Sequence, residues 1–333
     1  MSIQELESAC APSLDFSRHE LEAPELSLCG TFYPFGFPTV LRTNSREILV
    51  QANELWSIFQ KRFDTEPIHV DVHVVEGGST ECPPAPICRM MMPLIFNVSD
   101  ANNYSLIDLE QCRTRIAVSR ATEKHTSFLK YFFLGASPLC HIATRYATAV
   151  HAACVSLEGR GVLLCGDSGA GKSSLAYACA RANWTYITDD SSYVLNHGKD
   201  RLVTGNCHQI RFRPTAAELF AEVKGREITP RSAGKPSIEL PTASMPHMIC
   251  AQTAHVDFIV FLNRNSGGPS ELVPHNKDMA RQFMREQLYG PPELLRLQYE
   301  AVEGLLGASV LEIRYTDLDW AVGRLEQLVR EGR

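Results

Sequence analysis

The chain of 333 residues contains no CxxC pair, although it carries 11 cysteines, and this removes the commonest zinc and redox spacings. The cysteines stand at positions 10, 29, 82, 88, 112, 140, 154, 165, 179, 207 and 250. Cys82 and Cys88 are separated by a proline-rich loop, so the expectation is reduced, mostly buried thiols. No apolar run of about 20 residues is present; the most apolar long segment, 131–155, is interrupted by His141, Arg145 and His151, and no membrane span is expected. The opening MSIQELESACAPSLDF has acids and lacks an apolar h-region, so no signal peptide is read there and a cytoplasmic location is expected. No polybasic run stands out against a net charge of −6, which argues against nucleic acid or anionic lipid as partner. Repeats and low-complexity tracts are lacking too.

What is there is the composition of an ordinary globular protein, 44% hydrophobic and 21% charged, long enough for two domains. The character of the chain changes near residue 150. An N-terminal α+β domain is expected over 1–145 and assigned the selection of a substrate or partner; an α/β domain is expected over 146–333. In the first, Ile48, Ala52, Leu55, Trp56 and Phe59 recur at helical spacing, with Asn44 and Glu47 placed like a capping box. IHVDVHVV alternates strictly, setting His69, Asp71 and His73 on a face expected to be solvated. With no third ligand at suitable spacing, His69 and His73 are not read as a metal site. PLIFNV is read as a strand, and SLIDLE with RTRIAVS as a hairpin. EGGSTECPPAP marks an exposed loop.

From His151 onward the order is strand, loop, helix, strand. The loop is Gly166, Asp167, Ser168, Gly169, Ala170, Gly171, Lys172, Ser173 and Ser174, which fits GxxxxGK[ST] at every position. Glycines allow successive backbone N–H groups to point inward at phosphate oxygens. The following helix adds its positive end, Lys172 reaches the outer phosphates and the Ser173 hydroxyl can ligate Mg²⁺. A buried strand before and an unbroken helix after, KSSLAYACARA, supply the context the motif demands; the competing interpretation is a helix-capping glycine turn with no ligand. Asp189 and Asp190 end the next strand, 17 residues after Lys172. One can hold Mg²⁺ while its neighbour accepts a proton from an attacking hydroxyl; alternatively they are solvated acids opening a turn. VDFIVFLNR and VLEIRY are expected strands, and Leu318, Val322, Leu325 and Val329 mark one side of a closing helix.

Residues 151–195, HAACVSLEGRGVLLCGDSGAGKSSLAYACARANWTYITDDSSYVL, resemble the catalytic core of the HPr kinase/phosphorylase family and the wider HprK-like serine kinases. The resemblance implies a P-loop core shared with phosphoenolpyruvate carboxykinases, use of ATP and Mg²⁺, and phosphorylation of a serine hydroxyl on a protein, which some members reverse with inorganic phosphate. It makes Lys172 and Ser173 phosphate and Mg²⁺ contacts, Asp189 and Asp190 the metal-linked acid and the base, and His151 a residue near the transferred phosphate. From the residues alone, His151 begins an apolar strand and is equally a buried histidine satisfied by backbone. Members of the family form hexamers, so a homo-oligomer is implied.

The resemblance fades beyond 195. Where the family has a metal-linked glutamate in an EIRG-type segment, this chain has CHQIRFRP with Gln209. Gln209 lacks the charge and could coordinate a metal through its carbonyl oxygen. The docking segment for HPr is not recognisable, and a different acceptor is expected. Arg231 and Lys235 lie on a loop read either as closing over the phosphates or as solvated. The expected function is ATP/Mg²⁺-dependent phosphoryl transfer to a protein or peptide serine. A small-molecule kinase and a nucleotide-binding regulatory module without transfer are the alternatives.

Overall fold

A computed structural model describes residues 25–196, 200–230, 232, 234–245, 248–264 and 267–332. The first half is built on a seven-stranded sheet: β1 (Leu28–Phe32), β2 (Thr39–Thr43), β3 (Ile68–Val75), β4 (Ile87–Met91), β5 (Leu94–Asp100), β6 (Asn103–Asp108) and β7 (Arg113–Ser119), in the order β1-β2-β3-β7-β6-β5-β4. The hairpin expected from SLIDLE and RTRIAVS is β6 against β7. Helix α1 (Arg46–Trp56) buries Ile48, Ala52 and Trp56 in one cluster with Phe32, Leu41 and the apolar face of β3. Phe59 belongs to the same stripe but lies beyond the helix end.

Two local expectations are corrected. The capping box does not form: Asn44 instead donates to Val74 O and accepts from Val74 N, both at 2.8 Å. Its amide can donate and accept at once, so it extends the β2–β3 ladder by a further pair. Nor is the second face of β3 solvated. Asp71 is 4% exposed and accepts from Arg42 Nε at 2.8 Å and Arg113 Nη1 at 2.6 Å; two charge-assisted bonds offset the cost of burying the carboxylate. His69 and His73 flank it, half-buried.

Four short helical segments, Thr126–Leu129, Lys130–Leu134, Ala136–His141 and Ile142–Tyr146, follow one another into the second half. There β8 (Ala147–Val150), β9 (Ala153–Leu157), β10 (Arg160–Cys165), helix α2 (Lys172–Arg181), β11 (Thr185–Thr188), β12 (Ser192–Leu195), β13 (Leu202–Thr204), β14 (Gln209–Phe212) and β15 (Ile238–Pro241) come first. They are followed by β16 (Ile249–Cys250), β17 (Thr253–Asn263), β18 (Glu271–Pro274), α3 (Lys277–Arg285), α4 (Pro292–Leu305), β19 (Ser309–Arg314) and α5 (Leu318–Glu331). A ten-stranded sheet runs β16-β11-β9-β10-β17-β13-β12-β8, with β19 beside β17 and β18 beside β19. β14 and β15 form a separate two-stranded ribbon.

Glu158 and Gly159, both at positive φ, turn β9 into β10, the backbone a tight two-residue hairpin requires. Because β9 is antiparallel to both β10 and β11, the β10–α2–β11 unit returns parallel with β9 interposed. Alternation along β10 divides the core. Val162 and Leu164 pack with α2 and α5, whereas Leu163 and Cys165 pack with α3 and α4. The second half is therefore a three-layer α/β/α structure with helices on both sheet faces.

The halves pack directly. Gln252 pairs with the backbone of Gln60, accepting at 3.0 Å and donating at 3.3 Å, and the Phe35 ring meets Tyr193 edge-on with centroids 5.1 Å apart. Of the ten described cysteines, all free, Cys112, Cys154, Cys165, Cys179 and Cys207 are buried and Cys140 is partly so, but Cys29, Cys82, Cys88 and Cys250 are exposed, more than expected; Cys10 lies outside the described residues.

Candidate active site

The glycine-rich loop leaves the end of β10 and enters α2, as its spelling demands. Gly166, Gly169 and Gly171 have φ of 146°, 93° and 99°, conformations that a Cβ disfavours. A side chain at Gly166 would also meet Ala170 Cβ at 3.0 Å. Lys172, only 6% exposed, donates to Gly166 O at 2.6 Å and Asp167 O at 3.2 Å. Burial pulls its pKa down, against the nearby Cys165, Asp190 and Asp167, which raise it.

A cavity of about 450 Å³ opens above this loop. The loop lines it with Ser168, Gly169, Gly171, Lys172, Ser173 and Ser174; Asp189, Asp190, His151 and Lys235 line it from other elements. Gly166 supports the loop from behind. Asp167 and Ala170 border a neighbouring cleft with Arg264. Lys235 donates to Ser168 Oγ at 3.3 Å, which joins its loop to the phosphate loop. Arg231 lies outside the described residues.

The adjacent acids occupy different environments. Asp189 is 6% exposed and accepts from Tyr186 Oη at 2.9 Å and Arg211 N at 3.2 Å. Burial pushes its pKa up to about 6, against hydrogen bonds from Ser173, Tyr186 and the Arg211 N–H that lower it. Asp190 is 46% exposed at its side chain. Its Oδ1 lies 3.5 Å from His151 Nδ1 and its Oδ2 accepts from Arg211 Nη1 at 3.1 Å. His151 sits in the bend between β8 and β9 rather than in a strand and lines the cavity. Its pKa is lowered, first by burial and then by Lys172, so the imidazole is neutral at pH 7 and its contact with Asp190 is not a full ion pair.

Ser173 and Asp189 line the same cavity, so a hydroxyl and a carboxylate face one space, and Ser173 is among the groups that lower the Asp189 pKa. Hard oxygen donors of this kind fit Mg²⁺, which needs one or two carboxylates besides water and substrate phosphates. Gln209 stands apart from this pair. It does not line the phosphate cavity; its Nε2 donates to Glu239 Oε2 at 2.7 Å, and it borders a smaller cavity on the far side of Asp189.

Several site residues escaped sequence reasoning. Arg211 bridges Asp190 and Glu239, donating to Glu239 Oε1 through Nε at 3.1 Å; the EIRG-type comparison that singled out Gln209 carried Arg211 with it. Glu239 comes from β15, paired with Arg211 across the β14–β15 ribbon, and no local signal marks it. Arg213, Arg264 and Tyr131 also line the cavity; Tyr131 belongs to the first half of the chain.

Comparison with known proteins finds relatives of part of the chain. The profile of the HPr Serine kinase C-terminal domain matches residues 143–224. An HPr kinase/phosphorylase of Bacillus subtilis is 28% identical over 210 residues, covering 62% of this chain and 56% of the relative. One from Bacillus velezensis is 25% identical over the same shares. The chain thus spans little over half the length of the curated relatives it matches. A solved Hpr(Ser) kinase/phosphatase from Coxiella burnetii aligns at 15% identity and a TM-score of 0.30, over 56% of this chain and 96% of that one. Over its P-loop segment, residues 143–224, this chain is therefore similar to the HPr Serine kinase C-terminal domain.

Proposed function

We propose that the protein transfers the γ-phosphoryl group of ATP to a hydroxyl, a seryl side chain of a protein or peptide. HPr is the acceptor named for the relatives. The observation that carries this reading is the contrast between Asp189, buried, and Asp190, half-exposed, in one cavity with Ser173. A half-exposed carboxylate beside a phosphate loop, oriented by Arg211, is suited to take the proton of an incoming hydroxyl.

In this mechanism the loop N–H groups and Lys172 hold the donor phosphates, and Ser173 with Asp189 would hold Mg²⁺. The ion, when bound, neutralises charge on the phosphate oxygens. The acceptor oxygen forms a bond to the γ-phosphorus as the β–γ bridging bond breaks, and the hydroxyl proton passes to Asp190. Neutral His151 orients the Asp190 carboxylate, and Arg211 and Lys235 offset developing charge.

Incubation of the purified chain with γ-labelled ATP, Mg²⁺ and cell extract tests the proposal. Label on a protein band, stable to acid, lost in alkali by β-elimination and assigned to a serine by mass spectrometry, is expected. Label on a soluble metabolite alone would move the assignment to a small-molecule kinase, and ATP binding without any labelled product would contradict transfer.

A further inference from the structure

A second cavity, of about 190 Å³, lies beside the phosphate cavity. The two share Asp189, Asp190 and Arg211 in their linings, so the half-exposed carboxylate faces both. Their other walls differ in chemistry. The larger cavity has the glycine-rich loop, Lys172, Lys235, Arg213 and Arg264. The smaller one has an apolar wall of Phe35, Leu139 and Tyr193 and a neutral polar wall of Ser191, Asn206 and Gln209. Phe35 and Leu139 lie in the first half of the chain, outside the span matched by the kinase-domain profile.

Phe35 is held at that wall in a left-handed conformation, φ 53° and ψ 20°, which crowds the Cβ of a bulky residue against its own backbone. Contacts from both halves keep it there. Its ring stacks on Phe59 at 5.1 Å and meets Tyr193 at 5.1 Å, and its carbonyl accepts from Thr204 Oγ1 at 3.1 Å. A strained aromatic fixed at a cavity wall by partners on both sides points to a use for that wall.

We propose that the smaller cavity is the acceptor subsite, built jointly by the two halves, and that it takes a neutral hydroxymethyl group of seryl size with its flanking amides. This rests on the phosphoryl-transfer reading. Transfer in line requires donor and acceptor on opposite sides of the moving phosphoryl group, with the base beside the acceptor oxygen; Asp190 stands where the two cavities meet. Arg211 is the one cation of the smaller cavity among the described lining residues and is engaged by Asp190 and Glu239. An anionic acceptor therefore finds no cation to pair with, whereas Ser191, Asn206 and Gln209 can satisfy amide groups. The first half of the chain is thereby a specificity determinant.

N-acetylserinamide is the test probe and N-acetylalaninamide its control, with binding followed by saturation-transfer NMR and MgATP affinity by calorimetry. Leu139→Trp fills the cavity from one half and Ser191→Phe from the other, so a folding failure in one leaves the second. Both variants should keep MgATP affinity within twofold and lose at least tenfold in probe affinity, and the alanine analogue should bind wild type at least tenfold more weakly than the serine one. Equal probe binding in wild type and filled variants, or no serine-over-alanine preference, overturns the subsite. Phosphoserinamide formation is scored separately. Probe binding without product contradicts the transfer reading and upholds the subsite, and transfer with unchanged probe KM in the filled variants does the reverse.

Discussion

The guanidinium of Arg211 donates to Asp190 Oδ2 at 3.1 Å. Through its Nε it also donates to Glu239, so one planar group fixes the orientation of the half-exposed acid from a strand that is remote in sequence. A lysine carries the charge but not the fork. Arg211→Lys should therefore lower kcat for phosphoryl transfer by about tenfold or more, a loss of roughly 1.4 kcal/mol in transition-state stabilisation, with ATP affinity little changed. Steady-state kinetics at saturating ATP checks this; wild-type kcat in the lysine variant would remove Arg211 from the mechanism.

Lys172 is buried and bonded to the carbonyls of its own loop. Lys172→Ala should lose on the order of 100-fold in ATP affinity, about 2.7 kcal/mol. Its melting temperature should shift little, because burial of the ammonium opposes what its hydrogen bonds contribute. Calorimetric titration with MgATP beside a thermal melt separates the two effects.

Asp189 predicts a pH signature. In the fold it holds its proton up to about pH 6, against an ordinary value of 3.8. Between those values the native state binds more protons than the unfolded chain, so the contribution of Asp189 is fully present below about pH 4 and is lost as pH rises towards 6. The change is on the order of 1–3 kcal/mol. Asp189→Asn should flatten that part of the stability profile, measured by urea unfolding from pH 4 to 7.

The residues that sequence reasoning located are those whose partners are near in the chain. The phosphate loop needs only a strand before and a helix after, and the Asp189–Asp190 pair closes the same β10–α2–β11 unit, so both were legible. Arg211 and Glu239 meet because β14 and β15 pair residues that are 28 positions apart in sequence, and nothing local in CHQIRFRP or SIELPT announces it. Asn44 misled for a related reason: its spacing to Glu47 suits a helix cap, but the end of β3 competes for the same amide. Asp71 was read from alternation alone, which cannot foresee Arg42 and Arg113 arriving from neighbouring strands.

Phe35 allows its backbone cost to be separated from its ring contacts. Phe35→Ala and Phe35→Gly both delete the ring, but glycine accepts positive φ without penalty. The glycine variant should therefore be the more stable of the two by about 1 kcal/mol, despite the greater entropy of its unfolded chain. Urea denaturation of the pair decides it; an alanine variant at least as stable as the glycine one would mean that Phe35 is not strained.

The central claim is that Asp190 accepts the proton of the attacking hydroxyl. The most direct measurement is single-turnover phosphoryl transfer by Asp190→Asn beside its MgATP affinity. The account predicts ATP affinity within a fewfold of wild type and transfer reduced by about 10²–10⁴-fold, the usual contribution of a positioned base. Transfer at the wild-type rate in this variant would contradict it.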